Sequence, residues 1–193
     1  MDSATSIRPE ERGFTLLEVL IAMAVMVTGL LAVAYGIGLG MEAVQMSTMD
    51  TIAREKAREA MEDVFTARDT AAVNFSQICN IPTSGGNPNN CLFVTGLTPM
   101  YTADSTGLVN TTAAAAQNII ETYQTPGPDG ILGTADDPPP YNLTAFQRSI
   151  GVTSLSSSDG YTILAQVTVT IQYNPLPWTQ RTVTLVAIMS PYV

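Results

Sequence analysis

The feature that most constrains this chain is an uncharged run from Val19 to Met41, entered through Gly13-Phe14-Thr15-Leu16-Leu17-Glu18. At about 1.5 Å per residue, a helix over that run reaches about 34 Å, enough to cross a hydrocarbon core of about 30 Å. Arg8 and Arg12 precede the run and Glu42 is the first acid after it. The positive-inside rule therefore puts the N-terminus in the cytoplasm and the remainder outside, although Glu10 and Glu11 blur the signal.

Three readings compete for this stretch. A secretory signal peptide would use Ala32-Val33-Ala34 as its small-residue cleavage site, but the run is longer than a usual apolar signal core. A plain membrane anchor leaves Glu18 unexplained, because an intramembrane carboxylate costs about 2.5–3.5 kcal/mol or more. The third reading gives that carboxylate a partner. If a peptidase cuts between Gly13 and Phe14, the new α-amino group is a cation, and Glu18 of a neighbouring subunit can neutralise it in a low-dielectric bundle.

The segment Gly13-Phe14-Thr15-Leu16-Leu17-Glu18-Val19-Leu20-Ile21-Ala22 closely resembles the class III signal of type IV prepilins and type II secretion pseudopilins. The resemblance covers about residues 8–68 and implies that prepilin peptidase removes a leader, residues 1–13, on the cytoplasmic side and methylates the new N-terminus. Gly13 and Phe14 would then form the processing site, and Glu18 would be the assembly carboxylate. The continuation Thr28-Gly29-Leu30-Leu31-Ala32-Val33 is most similar to PilV-type minor pilins. Major pilins commonly carry a proline within this helix; Tyr35 stands at the equivalent position here, which points away from the bulk fibre subunit.

Composition narrows the remaining classes. The chain has 193 residues, 46% of them hydrophobic and only 13% charged, with a formal charge of −9; that is too apolar for a disordered protein. Beyond Arg68 the basic residues are Arg148 and Arg181 alone, so no basic cluster exists to displace counterions from a phosphate backbone, and no direct nucleic-acid binding is expected. The absence of histidine removes His-based triads and His-ligated metals. No enzymatic activity is expected.

From Glu42 to Arg68 the pattern turns amphipathic. Met46, Met49, Ala53, Ala57, Ala60, Met61, Val64 and Ala67 recur at helical steps with Phe65 beside them, a stripe on which a globular domain or an inter-subunit seam can pack. Glu55–Arg58 and Lys56–Glu59 are compensating pairs on the polar face. Gly36, Gly38 and Gly40 make a soft spot at about 1 kcal/mol each relative to alanine, or else allow close helix packing in the membrane. Unbroken from Phe14 to Arg68, the helix would reach about 80 Å.

From Asp69 onward, Thr, Ser, Asn, Gly and Pro dominate. Cys79 and Cys91 flank a turn-rich loop, and outside the cytoplasm they are expected to pair. Strand alternation is strongest at Tyr161–Tyr173, with Val167, Val169, Ile171 and Tyr173 on one face. It recurs at Arg181–Met189, with Asn174–Trp178 as the connecting loop. Arg148–Leu155 reads as a third strand, Leu92–Val94 as a short fourth, and Ala113–Tyr123 as a short helix. The stretch Gly127–Asp137 gathers Asp129, Asp136 and Asp137 among glycines, hard oxygens on a flexible loop of the kind Ca2+ takes. The spacing is not that of an EF-hand. A solvated turn and an acid-pair hydrolase are the other readings of the same residues. Some type II secretion pseudopilins carry a calcium loop in their C-terminal half.

The expected fold is α+β: a long N-terminal helix packed through its outer half on a C-terminal antiparallel sheet. The expected organisation is a leader over 1–13, a transmembrane and assembly helix over 14–41, its amphipathic continuation over 42–68, and a β-rich domain over 69–193. The resemblance implies a minor pilin, with prepilin peptidase, other pilin subunits and the bacterial inner membrane as partners. A minor pseudopilin of a type II secretion or DNA-uptake system, and a membrane-anchored binding module that never polymerises, are the alternatives.

Overall fold

In the computed structural model, which describes residues 15–87, 89–156, 163–176 and 179–191, the apolar run and the amphipathic stretch form one uninterrupted helix, α1, Leu16–Asp69. Thr15 starts it: its Oγ1 accepts from the Glu18 N–H at 3.3 Å, satisfying one of the orphan donors of a first turn. The helix continues through Gly36, Gly38 and Gly40, where an added Cβ would meet nothing within 4 Å. The chain divides into two compact units, residues 1–45 and 46–193. Every described side chain of the first is exposed.

In the second unit, Ile52, Ala53, Ala57, Ala60, Met61, Val64 and Ala67 are the buried side chains of α1. Four of these seven are alanines, so the stripe is built mostly of short side chains. Ile52 joins the anticipated stripe, while Met46 and Met49 are only half-buried at its N-terminal end.

The sheet opposite this stripe has four antiparallel strands. They are β1 (Thr98–Pro99), β4 (Phe146–Ser156), β5 (Ile163–Leu176) and β6 (Thr179–Met189), in that spatial order. Between β1 and β4 lie α2 (Thr112–Gln117), β2 (Thr122–Tyr123) and β3 (Tyr141–Asn142); β2 and β3 form a small separate ladder. Period-two alternation does what it should: Val167, Val169, Ile171 and Tyr173 of β5 are all buried, as are Phe146 and Ile150 of β4. Each such side chain withdrawn from water contributes about 1.5–3 kcal/mol. Phe146 lies directly opposite Tyr173, and their rings stack at 5.2 Å between centroids.

The helix is also tied to the sheet by polar contacts at both ends of the stripe. Near its start, Tyr173 Oη donates to Asp50 Oδ1 at 2.5 Å. Burial and the Asp50 charge together push the Tyr173 phenol up to about 12, while that hydrogen bond is the main cause holding the Asp50 carboxyl low. Near its end, Arg68 Nη1 donates to the Ser190 carbonyl at 3.0 Å and its guanidinium lies over the Phe65 ring at 5.3 Å.

Three local expectations are corrected. The fourth strand is Thr98–Pro99, not Leu92–Val94; Phe93 makes only isolated bridges, to Asn80 and Thr111, because the backbone groups of Leu92 and Val94 bond to Gln77, Thr112 and Asn110 and not to the sheet. Ala113–Tyr123 splits into a short helix and a strand at Asn118, which adopts a left-handed φ of 52°, a conformation asparagine tolerates better than most residues. The segment 174–178 is not simply a loop. β5 continues through Pro175 to Leu176 with a register shift, and Leu176 pairs with Thr179; Pro177 and Trp178 lie outside the described residues.

Candidate assembly surface and acidic loop

The first unit presents the surface most in need of a partner. Leu16, Leu20, Met23, Val27, Leu30, Leu31 and the other large apolar side chains up to Val44 are bare, with Leu16 at 83% exposure. Contiguous apolar surface of this extent marks contact with lipid or with other chains. By length and composition the helix is able to cross a membrane. Glu18 is in its first turn, where the N-terminal end of the helix dipole favours an anion. Thr15 and Glu18 stand in capping-box spacing, and the half of that box present is the Glu18 N–H donated to Thr15 Oγ1. The next basic side chain along the chain is Arg54, so the carboxylate has no cation of its own along the apolar run. Gly13 and Phe14 lie outside the described residues.

The second unit brings together the other singled-out residues. Cys79 and Cys91 are bonded, with Cα atoms 4.8 Å apart. Asp129, Asp136 and Asp137 each place a carboxylate oxygen within 4.8 Å of the other two, on the surface. Their charges are held in place by the loop itself. Asp137 accepts from the N–H groups of Gly127 (2.7 Å), Gly133 (2.5 Å) and Thr134 (3.1 Å). Asp136 accepts from Thr134 Oγ1 at 2.7 Å and from the Asp129 N–H at 3.3 Å. These hydrogen bonds, Thr134 for Asp136 and the Gly127 amide for Asp137, keep both carboxyls below the ordinary range. Gly127 is required here: a Cβ on it would lie 2.6 Å from the Asp136 carbonyl oxygen. The donor set is hard oxygen and suits calcium.

A buried charged cluster went unread in the sequence. Arg148 is fully buried; its Nε donates to Asn110 Oδ1 at 2.8 Å, and Nη2 donates to the Tyr101 carbonyl at 3.1 Å and to Glu121 Oε1 at 2.6 Å. Glu121 Oε2 faces Lys56 Nζ at 3.5 Å, and Lys56 also pairs with Glu59 at 2.7 Å. One chain of charges thus joins α1, the segment before β2, and β4. Asp63 lies close enough for desolvation, then the Glu59 charge, to raise its carboxyl. The signal was present: Phe146, Arg148 and Ile150 alternate, which puts the arginine on the core face.

Two side-chain amides close one edge of the sheet. Asn80 donates from Nδ2 to the Ile150 carbonyl and accepts at Oδ1 from the Val152 N–H, both at 2.6 Å. Asn110 donates from Nδ2 to the Arg148 carbonyl at 2.6 Å. Beyond the two residues of β1, these amides stand in for the missing neighbour of β4.

Residues 8–34 match the family described as the prokaryotic N-terminal methylation motif. The match supports a pilin-like or pseudopilin-like prepilin and points to a structural subunit. No curated protein and no solved structure matches the chain.

Proposed function

We propose that this chain is a minor pilin of a type IV pilus, of the PilV type, that enters or primes the fibre after prepilin peptidase cuts between Gly13 and Phe14 and methylates the new terminus. The observation that carries the reading is the bare apolar helix with a single carboxylate, Glu18, in its first turn. Before assembly the helix lies in the bacterial inner membrane with residues 69–193 on the periplasmic side. In the fibre, lipid contacts over residues 14–41 are exchanged for neighbouring helices, and each Glu18 meets the amine of an adjacent subunit. An ion pair buried this way sets register more than it adds stability. Residues 42–68 continue the helix as the scaffold of the domain.

Glu18→Ala separates this from an anchored binding module. A polymerising subunit is expected to keep its membrane level and leader removal while its recovery in sheared fibres falls at least tenfold. Unchanged recovery in fibres would sink the proposal.

The acidic loop favours the neighbouring reading, a minor pseudopilin of a type II secretion or DNA-uptake system, and Ca2+ at Asp129, Asp136 and Asp137 belongs to it. Ca2+ added to EDTA-treated protein is then expected to raise Tm by several degrees, and Asp137→Asn to abolish the rise. A melt indifferent to Ca2+ removes the ion and leaves a self-bonded turn.

A further inference from the structure

We propose that Asp63 is a proton-uptake site in the seam between α1 and the sheet, and that this seam tightens in mild acid because the proton removes one surplus negative charge. Lys56, Glu59 and Asp63 stand at i, i+3 and i+7 of α1, which places them along one face of the helix. The segment before β2 brings Glu121 to that face, and β4 brings Arg148. Two cations therefore meet three carboxylates.

Both cations are already committed. Arg148 Nη2 meets Glu121 Oε1 at 2.6 Å, and the other acceptors of its guanidinium are the neutral Asn110 and the Tyr101 carbonyl. Lys56 Nζ lies 2.7 Å from Glu59 and 3.5 Å from Glu121 Oε2. Among the described residues no hydrogen bond and no ion pair reaches Asp63, and the buried Glu121 Oε2 accepts no hydrogen bond. Glu59 stands one turn before Asp63, a like-charge pair of the unfavourable kind. Crowded carboxylates relieve their repulsion by keeping a proton. Glu59 and Glu121 each face a cation, whereas Asp63 has none in reach, so the proton belongs on Asp63.

The charges that face Asp63 come from α1, the segment before β2 and β4. Desolvation is the main cause raising its carboxyl and the Glu59 charge is the next; Arg148 pulls against them, and Glu121 and Lys56 add weaker effects of opposite sign. The consequence for stability runs opposite to that of Asp50 and Asp137. Those two are held low, chiefly by the Tyr173 hydroxyl and the Gly127 amide, so the stability they contribute is lost as pH falls through their folded values. Asp63 holds its proton more tightly in the folded chain than in the unfolded one. Its ionisation costs stability at neutral pH, and that cost is removed as pH falls through the raised folded value toward the ordinary one.

Asp63→Asn imitates the protonated side chain and cannot titrate. In urea titrations of the full chain in detergent, it is expected to raise the folded-to-unfolded ratio about twofold or more over the unaltered chain at pH 8, and the two are expected to converge by pH 4. Glu62→Gln, which neutralises an exposed neighbour, is expected to show no such pH-dependent gap. Carbon-13 NMR of the Asp63 carboxyl in the unaltered chain is expected to give a midpoint above the ordinary aspartate value of about 3.9, and Glu59→Gln to bring that midpoint down. The proposal is overturned by an Asp63 midpoint at or below the ordinary value, or by one indifferent to Glu59→Gln. It is equally overturned by an Asp63→Asn gap that is absent, stays flat or widens in acid, or by a Glu62→Gln gap that closes in the same way. All five charges belong to the second unit, so each of these outcomes leaves the Glu18 test untouched.

Discussion

Arg148→Met is expected to lower the unfolding free energy of the domain by about 3–5 kcal/mol, the cost of leaving a buried charge without its partner. Glu121 would remain 6% exposed with only Lys56 at 3.5 Å, and its Oε2 already lacks a hydrogen bond. Asn110 and the Tyr101 carbonyl would lose donors as well, and Asp63, whose carboxyl the Arg148 charge pulls down, would rise further. The measurement is a urea titration of the full chain in detergent, followed by tryptophan fluorescence. The companion variant Lys56→Met/Glu121→Leu/Arg148→Met is expected to recover most of the loss, since apolar replacement of a whole buried charge group is often neutral or stabilising. A single-variant loss under about 1 kcal/mol would mean that water reaches the cluster.

Cys79→Ser/Cys91→Ser is expected to cost about 3 kcal/mol, because the bridge closes a loop of 12 residues' separation and removes that freedom from the unfolded chain. The effect should also be local. Asn80 lies one residue beyond Cys79 and closes the β4 edge through Ile150 and Val152. In the unbridged variant, hydrogen exchange at Val152 is expected to quicken well before the β5–β6 ladder loosens. Uniform quickening across the sheet would mean that the bridge steadies the whole domain and leaves the edge amides independent of it.

What was legible in the sequence is what short-range patterning carries. The alanine-rich stripe and the alternations Val167–Tyr173 and Val183–Met189 repeat with a fixed period that assigns them, and the first half of the helix was legible as a long uncharged run. The pairing of Cys79 with Cys91 was legible from the absence of a third cysteine together with the expected placement of the segment outside the cytoplasm. Asp129, Asp136 and Asp137 lay close enough in sequence for one loop to gather them. The Arg148–Glu121–Lys56 cluster was not legible because its members are far apart in the chain and meet only once α1 lies on the sheet. The exchange of Leu92–Val94 for Thr98–Pro99 has a similar cause. So short a strand has no pattern of its own, and its place beside β4 is marked by Asn110, which bonds both Thr98 and the Arg148 carbonyl.

Lys56 is the sole lysine of the chain, and its side chain is 12% exposed beneath the sheet. An acylating reagent in solution therefore meets that amine largely screened by Glu59 and Glu121, and reacts faster whenever this cluster opens. The rate at which this side-chain nitrogen is acylated, read on the peptide that carries Lys56 and so apart from the terminal amine, becomes a clock for such openings without an engineered probe.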